Sequence, residues 1–127
     1  MGLWFIIALA GMLKYKRSFN NFLIFRGVYW HTVNGTSLYT AYPAEYSDVN
    51  HYGPVFSLVI APFALLPLWA GMLLWLLFLT AWLYLAIIRS GLREQQKVFI
   101  LWFCGITLPT ALFMQQFNIA VAAMILS

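Results

Sequence analysis

Charge is what this sequence has least of. Only 8% of its 127 residues are Asp, Glu, Lys or Arg, against roughly 25% in soluble domains. Three acids and seven basic residues cannot cover a globule of this size. That excludes an ordinary soluble enzyme, a disordered chain and a coiled coil. Cysteine is almost missing too: Cys104 is single and sits inside an apolar run, so no intrachain disulfide can form. There is no Gly-rich phosphate loop, no Ser/His/Asp signature and no zinc-protease helix. The formal charge of +4 does not point to nucleic acid, because the basic residues lie beside apolar runs and form no exposed stripe. What is present is grease. Hydrophobic residues make up 64% of the chain and aromatics 19%, and the mean hydropathy is +0.85. The expected solvent is a lipid bilayer.

An apolar helix needs about 20 residues to cross the hydrocarbon core. The segment 68–88 meets this, interrupted only by Gly71 and Thr80. Segment 2–13 resembles a signal h-region, but its basic cluster Lys14, Lys16, Arg17 follows it instead of preceding it, so it reads as a first span. Segment 54–67 is bounded by Pro54 and Pro67 with Pro62 inside, and reads as short or re-entrant. Segment 98–113 contains Pro109 and runs into Gln115, Gln116 and Asn118. This polar cluster either lies within one helix or marks a membrane edge, where a span over 118–127 begins; the cost of amides in hydrocarbon favours the edge. The fold expected is all-α and multi-pass, one membrane domain over 1–127 with a polar loop over 14–53.

Within that loop, 100° per residue from Phe19 to Asn34 places Phe19, Phe22, Phe25, Tyr29, Trp30 and Val33 on one face. Asn20, Gly27, His31 and Asn34 lie opposite, the pattern of an amphipathic helix at the membrane interface. Arg26 falls in the apolar face, either snorkelling to headgroups or meeting a lipid phosphate, for which its fork is well shaped. Of the acids, Glu94 stands in the connector Arg89–Lys97 and reads as solvated, with Arg89, Arg93 and Lys97 around it. Glu45 and Asp48 stand three apart in an aromatic loop followed by His51 and Gly53-Pro54. Either is a solvated loop carboxylate or a base for an incoming hydroxyl. Glu45, Asp48, His51 and His31 show no metal-ligand spacing, so neither metal nor cofactor is expected. Asn34-Gly35-Thr36 matches a glycosylation sequon of little specificity. If 54–67 crosses fully, the basic residues before it share a side with Arg89, Arg93 and Lys97; if it dips, the two clusters face opposite sides.

The order of features resembles the N-terminal part of glycosyltransferase family 87. It is carried by Asn20-Asn21-Phe22-Leu23-Ile24-Phe25-Arg26 with Tyr29-Trp30, by Gly35 with Leu38-Tyr39, and by Tyr42-Pro43. Asp48 with Tyr52-Gly53-Pro54 and Phe56, Ala61-Pro62-Phe63-Ala64-Leu65-Leu66-Pro67, and Gln115-Gln116-Phe117-Asn118 complete it, over about Asn20 to Leu126. The resemblance implies a GT-C-type enzyme of a bacterial inner membrane. Such an enzyme moves a mannose-like hexose or a pentose from a polyprenyl-phosphate-linked donor to a glycan or lipid acceptor outside the cytoplasm. It also implies a longer chain, of which these residues are the N-terminal portion, inactive alone. Many members carry Asp where Asn21 stands, and an amide cannot act as a base. The resemblance therefore assigns catalysis to Asp48, with Glu45 as the alternative, and the donor phosphate to Arg26, Lys14, Lys16 and Arg17. Asn21, His31, His51, Gln115 and Asn118 line the acceptor side, and Gln115 stands where glycine is frequent. A small non-catalytic multi-pass protein, an accessory or transporter-like subunit, is the competing expectation.

Overall fold

The computed structural model describes residues 2–14 and 19–127. Among them there is no strand, and the described chain is all-helical. The helices are α1 (Gly2–Lys14), α2 (Asn20–Val33), α3 (Phe56–Ala64), α4 (Leu68–Arg89), α5 (Glu94–Phe113) and α6 (Asn118–Leu126). Two of them, α4 and α5, are long and apolar enough to cross a membrane. The nine residues of α3 extend only about 13 Å, far short of a bilayer core. The chain divides into two compact units, 19–75 and a second made of 1–18 with 76–127, so α4 contributes to both.

Unit 19–75 is built on α2 packed against α3. Phe25 is its hub, with ring centroids 5.1 Å from Tyr52, 5.2 Å from Phe56 and 5.9 Å from Trp75, all edge-on. That geometry brings the positive edge of one ring to the negative face of the next. Proline sets the ends of α3. Pro54 opens a turn whose carbonyl takes the Ser57 N–H, and Pro67 offers its carbonyl to Gly71 as α4 begins. Gly71 allows a close approach of α4 to α3. A Cβ there would stand 2.1 Å from the carbonyl oxygen of Phe63, so only glycine lets α4 pass the last turn of α3.

In the other unit α1 packs on α5, with Trp4 lying against Gly105. A groove of about 380 Å³ runs here, lined by Leu3, Trp4, Tyr84, Trp102 and Ile106. The helix α5 starts earlier than the apolar run predicts. Residues 94–97, read from the sequence as a solvated connector, form its first turn, because Gln96 accepts the Arg93 N–H at 2.9 Å and Lys97 pairs with Glu94 at 2.9 Å.

The end of α5 is a Schellman stop. Gln115 has φ 51°, its N–H donates to Leu112, and the Gln116 N–H reaches back to Ala111. Glycine is the usual occupant of such a left-handed position. Here it is a fully buried glutamine whose Nε2 donates to the Phe113 carbonyl. The polar cluster therefore separates two helices, and α6 resumes at Asn118.

Candidate functional site

The loop between α2 and α3 is folded, not trailing. Tyr42-Pro43-Ala44-Glu45 is a β-turn closed by the Glu45 N–H to the Tyr42 carbonyl at 2.8 Å, with proline at the position where its fixed φ suits the turn. The turn aims three consecutive residues at successive positions of α2. Glu45 Oε2 meets His31 Nε2 at 3.1 Å. The Tyr46 ring lies over Gly27, so close that a Cβ there would stand 2.8 Å from it. The Ser47 N–H donates to Asn20 Oδ1 at 2.7 Å. These three residues form a strap along one face of the helix.

That face is the one periodicity marks as polar. Gly27 and His31 on it are buried and Asn34 is exposed, while on the apolar face Phe22 and Phe25 are buried and Trp30 and Val33 are exposed. The reason is tertiary: Gly27 leaves a trough, and the Tyr46 ring fills it. Periodicity locates the face and cannot say what covers it.

Beneath the Glu45 end of the strap lies His31, 7% exposed. Besides Glu45, it has Thr36 Oγ1 2.8 Å from Nδ1 and the ring of Tyr42 stacked at 3.9 Å and 16°. Tyr46 is buried and its hydroxyl has no hydrogen-bond partner among the described residues. Burial first, then the charge of Glu45 and the neighbouring Tyr42, raise its pKa above the ordinary tyrosine value. Burial alone raises that of Tyr52. Asn50, buried, locks the next bend: Oδ1 accepts the Tyr52 N–H at 2.8 Å, and Nδ2 donates to the carbonyls of Tyr52 and Leu38. Sequence reasoning missed Asn50, Thr36 and Tyr42. An Asn two residues before Tyr52-Gly53-Pro54 is a legible signal for the first, since Asn side chains cap the N–H two residues on.

The structure brings Glu45 and His31 together and leaves Asp48 apart. Asp48 is exposed, accepts the Val49 N–H at 2.8 Å and makes no ion pair among the described residues. His51 is exposed and Asn21 is half-buried in the first turn of α2. Arg26 turns inward: Nη2 donates to the carbonyl of Ala64, the last residue of α3, at 3.3 Å. Its charge suits the negative end of that helix. Its Nε is buried without a partner among the described residues. Lys16, Arg17 and the side chain of Lys14 lie outside the described residues. Gln115 and the exposed Asn118 belong to the other unit. No three His, Cys, Asp or Glu among the described residues group as metal ligands.

The described residues define the class of all-helical proteins with two helices long and apolar enough to cross a membrane. Within that class the family is definite. The model of glycosyltransferase family 87 matches residues 50–127, more than half of the sequence, and the chain belongs to that family. The match starts at Asn50, so Arg26, Glu45 and Asp48 lie before it, and His51, Gln115 and Asn118 within it. No curated protein and no solved structure matches the chain.

Proposed function

We propose that the chain belongs to an integral membrane glycosyltransferase of a bacterial inner membrane. It moves a mannose-like hexose or a pentose from a polyprenyl-phosphate donor to a glycan or lipid acceptor outside the cytoplasm. The family match over residues 50–127 carries this reading, and the physical makeup supports it. Phe99, Trp102 and Ile106 on α5 are 70%, 77% and 79% exposed. So large an apolar face needs a cover, and hydrocarbon supplies one.

In this reading Asp48 is the base, because its carboxylate is open to an incoming hydroxyl while Glu45, the alternative, is engaged by His31. The acceptor oxygen bonds to the anomeric carbon, and the bond from that carbon to the donor phosphate breaks. The electron pair leaves with the phosphate, and the acceptor proton passes to Asp48. Arg26, Lys14, Lys16 and Arg17 balance the phosphate charge. Asn21, His31, His51, Gln115 and Asn118 line the acceptor side.

The test is Asp48→Asn and Glu45→Gln in the full protein within membranes. Asp48→Asn is expected to lower sugar transfer by about a hundredfold or more at unchanged expression. Transfer lost in Glu45→Gln alone moves the base to Glu45; transfer intact in both variants sinks the assignment.

A further inference from the structure

At the end of α2 a hydroxyl, an imidazole and a carboxylate form one hydrogen-bonded chain that the reading above does not use as a unit. Thr36 Oγ1 lies 2.8 Å from His31 Nδ1, and His31 Nε2 lies 3.1 Å from Glu45 Oε2. The imidazole is buried and Tyr42 stacks on its face, so the ring is held in place. Thr36, in contrast, is exposed. With Glu45 ionised, Nε2 carries the ring hydrogen and donates it to Oε2. The lone pair is then on Nδ1, where the Thr36 hydroxyl donates into it. The other acceptor for that hydroxyl, the His31 carbonyl, is farther away at 3.4 Å. A base within hydrogen-bond reach of a hydroxyl, itself oriented by a third group, is the arrangement that makes an alcohol nucleophilic.

The surroundings choose the electrophile. Acyl transfer places an oxyanion next to the nucleophile and needs donors there. The N–H groups of Gly35 and Thr36 are already given to the carbonyls of Thr32 and His31, at 3.3 and 2.9 Å. Glycosyl transfer instead builds its negative charge on the departing phosphate, away from the nucleophile. We propose that Thr36 is an internal glycosyl acceptor: the protein places a sugar on its own Thr36 hydroxyl, with His31 as base and Glu45 as the positioning residue. In the step, a bond forms from Thr36 Oγ1 to the anomeric carbon and the bond from that carbon to the donor phosphate breaks. The electron pair leaves with the phosphate, and the Thr36 proton passes to His31 Nδ1. Glu45 stabilises the imidazolium until the proton returns to water. This inference rests on the reading of the protein as a sugar-phosphate-dependent transferase.

The test isolates the full protein from its own membranes and maps the peptide containing Thr36 by electron-transfer mass spectrometry. Incorporation of labelled sugar into the other lipids and glycans of the same membranes is read in parallel. A hexose- or pentose-sized increment on Thr36 is expected, absent in Thr36→Val. Occupancy should fall by about a hundredfold or more in Glu45→Gln, which keeps a hydrogen bond to Nε2 but removes the charge. An unmodified Thr36 in membranes that still incorporate sugar in an Asp48-dependent way overturns the inference and leaves the transferase reading standing. Absence of both increment and incorporation overturns both. Occupancy undiminished in both Glu45→Gln and His31→Gln overturns the relay.

Discussion

Single side chains in the loop carry unequal weight. Asn50 satisfies one N–H and two carbonyls from a buried position. Asn50→Ala should therefore cost about 2 kcal/mol, read as a lower denaturation midpoint in detergent. Tyr46→Phe should do the opposite. It removes a buried hydroxyl without a partner and is expected to be neutral or to stabilise by up to about 1 kcal/mol. Alkaline pH tests the same burial. Tyr46 and Tyr52 both titrate above the ordinary value of 10.0. Between that value and their raised ones, the folded state holds protons that the unfolded state has lost. Their contribution is thus complete below pH 10.0 and declines as pH rises through the raised values. Ultraviolet titration should find these two ionising above pH 10.0, with stability falling over the same range. Arg26 calls for a finer probe. Arg26→Gln keeps an N–H for the Ala64 carbonyl but not the charge. A raised donor requirement would mark a phosphate contact, and an unaltered one would leave Arg26 as the cap of α3.

At the level of elements, the two informative positions are a glycine and a residue where glycine is usual. Gly71→Ala sets a Cβ into the backbone of α3, which cannot step aside as a flexible side chain would. The expected cost is about 3 kcal/mol, seen as a lost or lowered thermal transition. At the end of α5, Gln115→Gly should exceed Gln115→Ala in stability by about 1 kcal/mol. Both variants lose the amide, and only glycine relieves the left-handed backbone. The apolar helices were legible because length and composition alone define them. The site was legible only in part. The face of α2 could be read from Asn20, Gly27 and His31, but Glu45 reaches His31 across fourteen residues of sequence. No helical period encodes that meeting. The first turn of α5 was missed for a local reason: Glu94, Gln95, Gln96 and Lys97 look like a solvated connector until Gln96 is seen to cap the Arg93 N–H.

For the molecule as a whole, the exposed face of α5 is where the bilayer reading is tested. Ile106→Asp separates two cases. In a bilayer it adds roughly 3 kcal/mol to insertion and should release the protein to alkaline carbonate extraction; in water the same change would improve solubility. Cysteines placed at Ser47 and Ser90 address the arrangement of the loops, since labelling from one side only would put the strap and the α4–α5 connector on a common face. Family membership was legible from the order of aromatic and proline motifs, and it is the segment from Asn50 onward that the family model recognises. The stretch holding Arg26, Glu45 and Asp48 precedes that segment. Sequence pattern alone therefore identified the family.

The strap has a consequence for how this sequence can drift. Glu45 answers His31, and the Tyr46 ring answers the missing side chain of Gly27. Neither member of a pair can change freely while the other stays. Among relatives that keep the strap, a larger residue at position 27 should travel with a smaller one at 46. Loss of the carboxylate at 45 should likewise travel with a replacement at 31. Asp48, whose one hydrogen bond among the described residues is to its neighbouring N–H, is under no such tether. If it is held constant across the same relatives, packing will not be the reason.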